Sequence, residues 1–361
     1  MEKIRISSIQ ALMLAISSIT VTGHLLFIPV IINHAGRDSW LSVILAIFPA
    51  MLIGFVIALL AQRYPEHTLI EYSQIILGKW IGKIIAIIFL FYFFHEASLS
   101  LRGFSEFYNS AITPRTPLMI YLVAMLMLAV YTIRNRLEIL ARTNQTFLVL
   151  MIPIGIMASI LTHKDKDYQN LLPILEDGFS PVMVGSFNII SLYSSFIVLG
   201  MVFPYVANKK KLKRFSILTM LILIIMFIGP ITGVVAVFGE ERAMGLYFPT
   251  FQTLRDIEIG ALQRLDILGV VLWSLGSFSK ISLFLYAIVV GMAQLFHIDD
   301  YTLLTIPTAT LLAIFSLLTS DDLIGIYRFL MHIYPYFSTF IALVIPILLL
   351  MISQFKQIKR G

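Results

Sequence analysis

Position 280 is a lysine inside the apolar run GVVLWSLGSFSKISLFLYAIVVGMAQLF, which is long enough to cross a bilayer. A charge at membrane depth costs at least about 2.5–3.5 kcal/mol on insertion scales. Such a group is expected to face a polar or ion-paired interior rather than lipid. At 1.5 Å per residue both ends of the run lie roughly 20 Å or more from Lys280, too far for easy snorkelling. The candidate counter-charge is Glu96, beside His95 in FFHEASLSLRGF. It stands roughly 24 Å along a helix from Trp80, so snorkelling toward the nearer surface competes with pairing. Arg102 is a rival partner for it. The chemistry open to Lys280 is a structural ion pair, a fixed positive charge toward a ligand, or proton exchange.

A second group of residues has small polar side chains beside helix-weakening positions. The stretch VTGHLLFIP (Val21 to Pro29) and the stretch VLGMVFPYV (Val198 to Val206) each place Phe and Pro a few residues after Gly. Glycine weakens a helix, and proline removes an N–H and clashes with the preceding turn. A helix opened at mid-membrane frees amides and carbonyls, which only protein, water or a ligand can meet. Thr22, Gly23 and His24 occupy the first interruption. Ser194, Ser195 and Phe196 precede the second. These six residues and Lys280 form the candidate ligand-binding set, with Glu96 and Lys280 as the candidate ion pair. Helix packing and bonding of hydroxyls to the preceding turn are the competing roles for the serines and threonine.

The elements that must position these residues follow from composition. The chain has 361 residues, 59% hydrophobic and 13% charged, about half the charge of an ordinary soluble domain. Its apolar residues come in long blocks, the signature of membrane-spanning helices rather than of a barrel. Ten blocks are expected, at 9–32, 40–62, 80–108, 117–133, 144–162, 184–207, 214–239, 266–296, 301–318 and 333–355. The basic start MEKIRISSIQ runs directly into the first of them and reads as a membrane helix, not a removable signal. The fold class is therefore all-α integral membrane, one transmembrane domain over 1–361. Ten spans divide into halves of five, about 9–162 and 184–355, and an odd number per half forces opposite orientations.

Lysine and arginine set the expected orientation. With the N-terminus inside, 16 fall in inside segments, 9 in outside segments and Lys280 within a span, which accounts for all 26. Lys3, Lys359 and Arg360 contribute to the inside count, as does KKKLKR at 209–214. Both termini are expected in the cytoplasm, and the basic cluster reads first as a topology anchor facing the lipid bilayer. The loop at 240–265, with Pro249 dividing it and charges that include Glu258 and Arg264, is expected outside. With no cysteine in the chain, disulfides and thiolate chemistry are excluded. No catalytic or nucleotide-binding motif and no metal-ligand spacing occur, so neither an enzyme nor a cofactor is expected, and no nucleic-acid partner. The acid pairs Asp165/Asp167, Asp299/Asp300 and Asp321/Asp322 fall in loops, where such residues cap helices or face water.

Several stretches resemble the B subunits of spore-germination nutrient receptors, within the amino acid–polyamine–organocation transporter superfamily. They are EYSQIILGKWIGK (Glu71 to Lys83), RTPL (Arg115 to Leu118), NLLPILEDGFSPV (Asn170 to Val182), FPTFQ (Phe248 to Gln252) and RLDILGVVLWSLGSFSKISLFLYA (Arg264 to Ala287). The resemblance implies a LeuT-like fold of two inverted five-helix repeats with spans one and six discontinuous. It implies a short helical lid in the 240–265 loop. It also implies sensing of a small nutrient, an amino acid foremost, in the inner spore membrane, with an A-type membrane subunit and a C-type lipoprotein as partners. An autonomous proton-coupled amino acid permease and a membrane assembly partner without a ligand are the alternatives. In relatives a sodium ion often lies near the unwound helices, and Lys280 is a candidate to supply that charge.

The absence of native cysteine allows a direct topology test. Single cysteines at Lys166 and Lys210 are expected to react with an impermeant maleimide from opposite faces. Labelling from one face would mean an odd error in the span count.

Overall fold

The computed structural model describes residues 5–256 and 265–358, and among them the chain is helices and their connections, without a strand. Lys3, Glu258, Arg264, Lys359 and Arg360 lie outside the described residues. Lipid offers no hydrogen-bond partners, so each apolar block satisfies its backbone internally as a helix. Eight helical runs among the described residues are long and apolar enough to cross a membrane. The first, Ser8–Arg63, has 56 residues and would measure about 84 Å if straight, against a hydrocarbon core of about 30 Å. It must turn, and Gly36 at φ 51° supplies the left-handed backbone that disfavours other residues. Dividing this run at Gly36 and adding the shorter apolar helix Leu118–Arg134 makes ten apolar segments among the described residues.

Segment one comprises α1 (Ser8–Thr22) and α2 (Ile28–Ala35), and segment two α3 (Ser39–Leu45) and α4 (Ile47–Arg63). The short α5 (Leu69–Leu77) precedes α6 (Lys79–Phe107), α7 (Leu118–Arg134) and α8 (Arg136–Leu161), which are segments three to five. Segment six is α9 (Ser180–Tyr193) extended by a 3-10 helix, Ser194–Met201, and segment seven is α10 (Leu212–Phe238). Two short helices, α11 (Glu240–Met244) and α12 (Pro249–Arg255), precede segment eight, α13 (Asp266–Phe296). Segment nine is α14 (Thr305–Leu318). After α15 (Leu323–His332), segment ten comprises α16 (Tyr334–Thr339) and α17 (Ile345–Ile358).

The loop acids act largely as caps. Asp167 accepts from the Gln169 N–H, Asp300 from Thr302 and Asp322 from Gly325. Capping boxes at Ser7–Gln10 and Thr68–Glu71 start α1 and α5. Two helices lie where no span is expected, α5 and α15. Both are short, at 9 and 10 residues, and length rules them out as spans. Helix α8 begins at Arg136, ahead of the expected 144, because its polar first turns stay helical outside the apolar core.

Of the eight candidate spans, α13 is the most enclosed and the run containing α8 the least. Helix α13 packs along α6, α1, α7 and α8, so Lys280 rides on the central helix of the bundle. Small residues make the close crossings possible, as is usual between membrane helices. At Gly276, one turn before Lys280, an added Cβ would stand 1.7 Å from Val21 Cγ2 on α1.

Gly276→Ala is therefore expected to destabilise the detergent-purified protein by about 1–3 kcal/mol, the usual cost of overpacking. Adding Val21→Ala should recover part of the loss. An unchanged unfolding temperature for Gly276→Ala would show that the two helices are not in this contact.

Candidate functional site

Lys280 and Glu96 meet in the interior. Lys280 Nζ is 3.0 Å from Glu96 Oε2, and each residue is only 1% exposed. The carboxylate has two further donors. Ser195 Oγ donates to Oε2 at 2.6 Å, and Tyr334 OH donates to Oε1 at 2.5 Å. The ammonium also stands 5.4 Å from the centre of the Phe284 ring, one turn further along α13, close enough for a cation–π contribution. One carboxylate thus joins side chains from segments three, six, eight and ten. Hydrogen bonds to a charged group are worth about 1.5–3 kcal/mol each, and this carboxylate needs them to offset its removal from water.

Arg102, the rival partner, is committed elsewhere. Its guanidinium donates to Glu106 Oε1 at 2.6 and 2.9 Å. It also donates to the carbonyls of Ser316, Leu317 and Asp321 at the end of α14, a cationic cap of that helix terminus. Six residues along a helix also turn Arg102 about 120° away from Glu96.

Both interrupted segments depart from α geometry at the places their sequences mark, though neither opens into a gap. In segment one Gly23–Phe27 form a π-turn in which Ile28 N–H reaches back to Gly23 O. Pro29 follows, and the widened turn accommodates its ring and missing N–H. The same device recurs in segment ten, where the π-turn Phe340–Val344 precedes Pro346. In segment six the chain tightens into the 3-10 helix Ser194–Met201, every residue of which is buried. That segment carries Ser195 to the carboxylate.

The other candidate residues lie apart from the charges. Thr22 is buried at the end of α1. Gly23 makes room for Phe227, whose Cζ would be 1.8 Å from an added Cβ. The His24 ring meets Phe227 edge-on at 5.3 Å. Ser194 bonds back to Ile190 O, and Phe196 packs edge-on against Phe203 at 6.2 Å. None of these five bonds the Glu96 carboxylate. Tyr334 does, and the sequence reading did not include it. A tyrosine at the start of an apolar block reads as an interfacial anchor. Tyr92 was also passed over, although its position one turn before Glu96 on α6 was a usable signal. Its buried hydroxyl lies beside those of Ser195 and Tyr334.

The loop at 240–265 closes over segment one. Thr250 Oγ1 on α12 donates to His24 O at 3.1 Å, and Asn33 Nδ2 on α2 donates to Met244 O at 3.2 Å. Tyr327 OH on α15 donates to Tyr247 O at 2.5 Å. Arg37, between α2 and α3, binds Glu240 at 2.7 Å and Glu176 at 3.0 Å, so α11 and the 163–183 loop share one clamp.

The third, sixth, eighth and tenth segments of a helical membrane bundle thus meet at one buried ion pair. The fold has a solved counterpart. MhsT, solved in complex with L-phenylalanine, superposes with a TM-score of 0.68 over 95% of this chain and 89% of that chain, at 13% identity. The likeness shows a shared LeuT-like fold. Residues 5–324 match the family model described as Spore germination protein, and the chain belongs to that family. It is 26% identical to spore germination protein KB of Bacillus subtilis (strain 168), over 100% of this chain and 97% of that protein. It is also 26% identical to spore germination protein YndE of the same organism, over 99% and 98%. Spore germination protein XB of Bacillus anthracis is 27% identical over 77% of this chain and 78% of that protein.

The buried pair makes an energetic prediction. Lys280→Met should cost about 3–5 kcal/mol, because it strands Glu96 in an apolar interior. The double variant Lys280→Met/Glu96→Gln should regain part of this in chemical denaturation of the detergent-solubilised chain. A double variant no more stable than Lys280→Met would show that the two charges are not coupled.

Proposed function

We propose that this chain is the nutrient-sensing membrane subunit of a spore germination receptor, and that it recognises a small solute, an amino acid foremost, beside the Glu96–Lys280 pair. The observation that carries the proposal is the single carboxylate held at once by Ser195, Lys280 and Tyr334 from three other segments. Such a junction is intact or broken, with little between. A zwitterion offers an ammonium for Glu96 and a carboxylate for Lys280, so it can replace each partner for the other. The Tyr92 hydroxyl, beside those of Ser195 and Tyr334, adds a polar group for a solute. Thr22, Gly23, His24, Ser194 and Phe196 belong to the same two irregular segments and, apart from the charges themselves, shape the rest of the ligand space.

In this reading ligand binding favours one arrangement of the segments, and that bias passes to an A-type membrane subunit and a C-type lipoprotein in the inner spore membrane, with both termini of this chain in the cytoplasm. A ligand shifts such an equilibrium only by its difference in affinity for the two states. The competing reading is an autonomous proton-coupled amino acid permease, favoured by the transporter fold alone.

Purified protein is expected to gain thermal stability with one or a few amino acids from a broad panel. Lys280→Met should lose that response, and proteoliposomes under a pH gradient should accumulate none of the active solutes. Robust uptake by the isolated chain would establish the permease instead. A full ligand response in Lys280→Met would remove the lysine from the site.

A further inference from the structure

The basic cluster KKKLKR at 209–214 lies at the end of a structured groove. A surface cavity of about 370 Å³ is lined by Gln62, Pro65, Lys209 and Lys210. Gln62 Nε2 donates to the carbonyls of Lys209 and Lys210 at 2.9 and 3.0 Å, which holds the lysine backbone against the end of α4. Lys209 is paired with Glu66 at 2.5 Å, and that ammonium holds the Glu66 carboxyl below its ordinary range. Lys210, Lys211 and Arg214 are exposed and have no carboxylate partner among the described residues. The groove therefore carries unbalanced positive charge on an ordered frame.

What lies beside it is apolar. Helices α4 and α10 pack side by side, and an added Cβ at Gly54 would stand 3.3 Å from Met220 Cγ and 3.4 Å from the Ser216 carbonyl. Phe48, Leu52 and Phe55 are exposed on α4 at spacings of four and three residues, one helix face. Leu218, Leu221 and Ile225 continue from Arg214 on α10 at the same kind of spacing, again one face. The two stripes flank the seam, and Lys213 Nζ lies 5.8 Å from the Phe55 ring centre, where the cluster meets them. Cations thus sit at the end of a greasy seam, with a pocket between.

We propose that the groove of Gln62, Pro65, Lys209 and Lys210, with Lys211 and Arg214 beside it, binds the headgroup of an acidic phospholipid whose acyl chains lie along the α4–α10 seam. A phosphodiester supplies the negative charge the lysines lack, and the apolar stripes select a lipid over a soluble anion. A topology anchor requires charge on one side of the membrane. It does not require a pocket or aligned stripes. The site also lies where α10 leaves segment six, which bears Ser195, so an occupied groove restrains that connection.

The test uses the full chain in nanodiscs of phosphatidylcholine alone or with added phosphatidylglycerol. Phosphatidylglycerol is expected to raise the unfolding temperature by roughly 3 °C or more, as for any ligand bound well above its Kd. Lys210→Gln/Lys211→Gln/Arg214→Gln should lose at least half of that rise while matching the parent in phosphatidylcholine. Lys79→Gln/Lys83→Gln, which removes two cations elsewhere, should keep the full rise. Equal loss in both variants would mean diffuse surface attraction and overturn the site. The same rise with inorganic phosphate on the detergent-solubilised chain would overturn the lipid in favour of a free anion. Lipid retained by the unaltered protein through detergent exchange should be enriched in phosphatidylglycerol over phosphatidylcholine, and no enrichment would also overturn the proposal, whatever the variants do.

Discussion

The cost of holding two full charges inside an apolar bundle governs the rest of this structure. Taking one ion from water into a protein interior costs several kcal/mol even after relaxation, and mutual attraction repays it only with good geometry and additional hydrogen bonds. Glu96 obtains them from Ser195, Lys280 and Tyr334. Each donor comes from a different segment, so the carboxylate is satisfied only when four segments converge on one point. An apolar contact does not make so many segments depend on the placement of one small group. An aliphatic side chain displaced by 1 Å loses some dispersion energy. A donor displaced as far leaves a bare charge.

That requirement gives meaning to the irregular backbone. A 3-10 helix advances about 120° per residue against about 100° in an α-helix. Across Ser194–Met201 the difference turns the side chains well away from the faces that α9 would present. Ser195 reaches α6 from the first residues of this stretch, while the rest stay enclosed. The π-turn before Pro29 does something different for segment one. It absorbs the proline without opening the helix, and Gly23 at its start lets Phe227 approach. Both devices fall in the two segments whose sequences mark an interruption, and π-turns are common at functional sites.

The fold class was legible in the sequence because lipid imposes a simple rule: a block of about 20 apolar residues has one way to satisfy its backbone. The limits of α13 coincide with the expected 266–296 for that reason. The helices α5 and α15 were not legible, since short amphipathic helices lack the length that marks a span. Lys280 announced itself by its cost. Glu96 followed as an acid within an apolar block, placed toward its outer end, and its environment was harder to read. Distinguishing Arg102 from Lys280 as its partner needs rotation around α6 and the position of the α14 terminus, which no local pattern contains. Tyr334 was hidden because position along the sequence gives depth only when a segment starts at the surface. Segment ten instead begins after α15, so its first tyrosine lies beside a buried carboxylate. The break in segment one was foreseen as to place, from Gly23 and Pro29. Its form, a π-turn, depends on whether the freed carbonyl finds a partner one residue further on.

In the receptor reading the sealed pair determines what kind of ligand can work. An uncharged solute would have to pull the two charges apart and leave both exposed to the apolar interior, so it would meet the whole separation cost with neutral hydrogen bonds. A zwitterion substitutes charge for charge. Its ammonium replaces Lys280 at Glu96, and its carboxylate takes the released lysine, so the interior remains neutral throughout the exchange. The net cost falls to differences in geometry, a few kcal/mol. Moving a two-state equilibrium from almost empty to almost full needs about 5.5 kcal/mol of preference. Side-chain contacts of the solute with the apolar residues of segments one and six can supply the balance. Selectivity among amino acids then rests with those contacts and activation with the charges, which separates the residues that choose a ligand from those that respond to it.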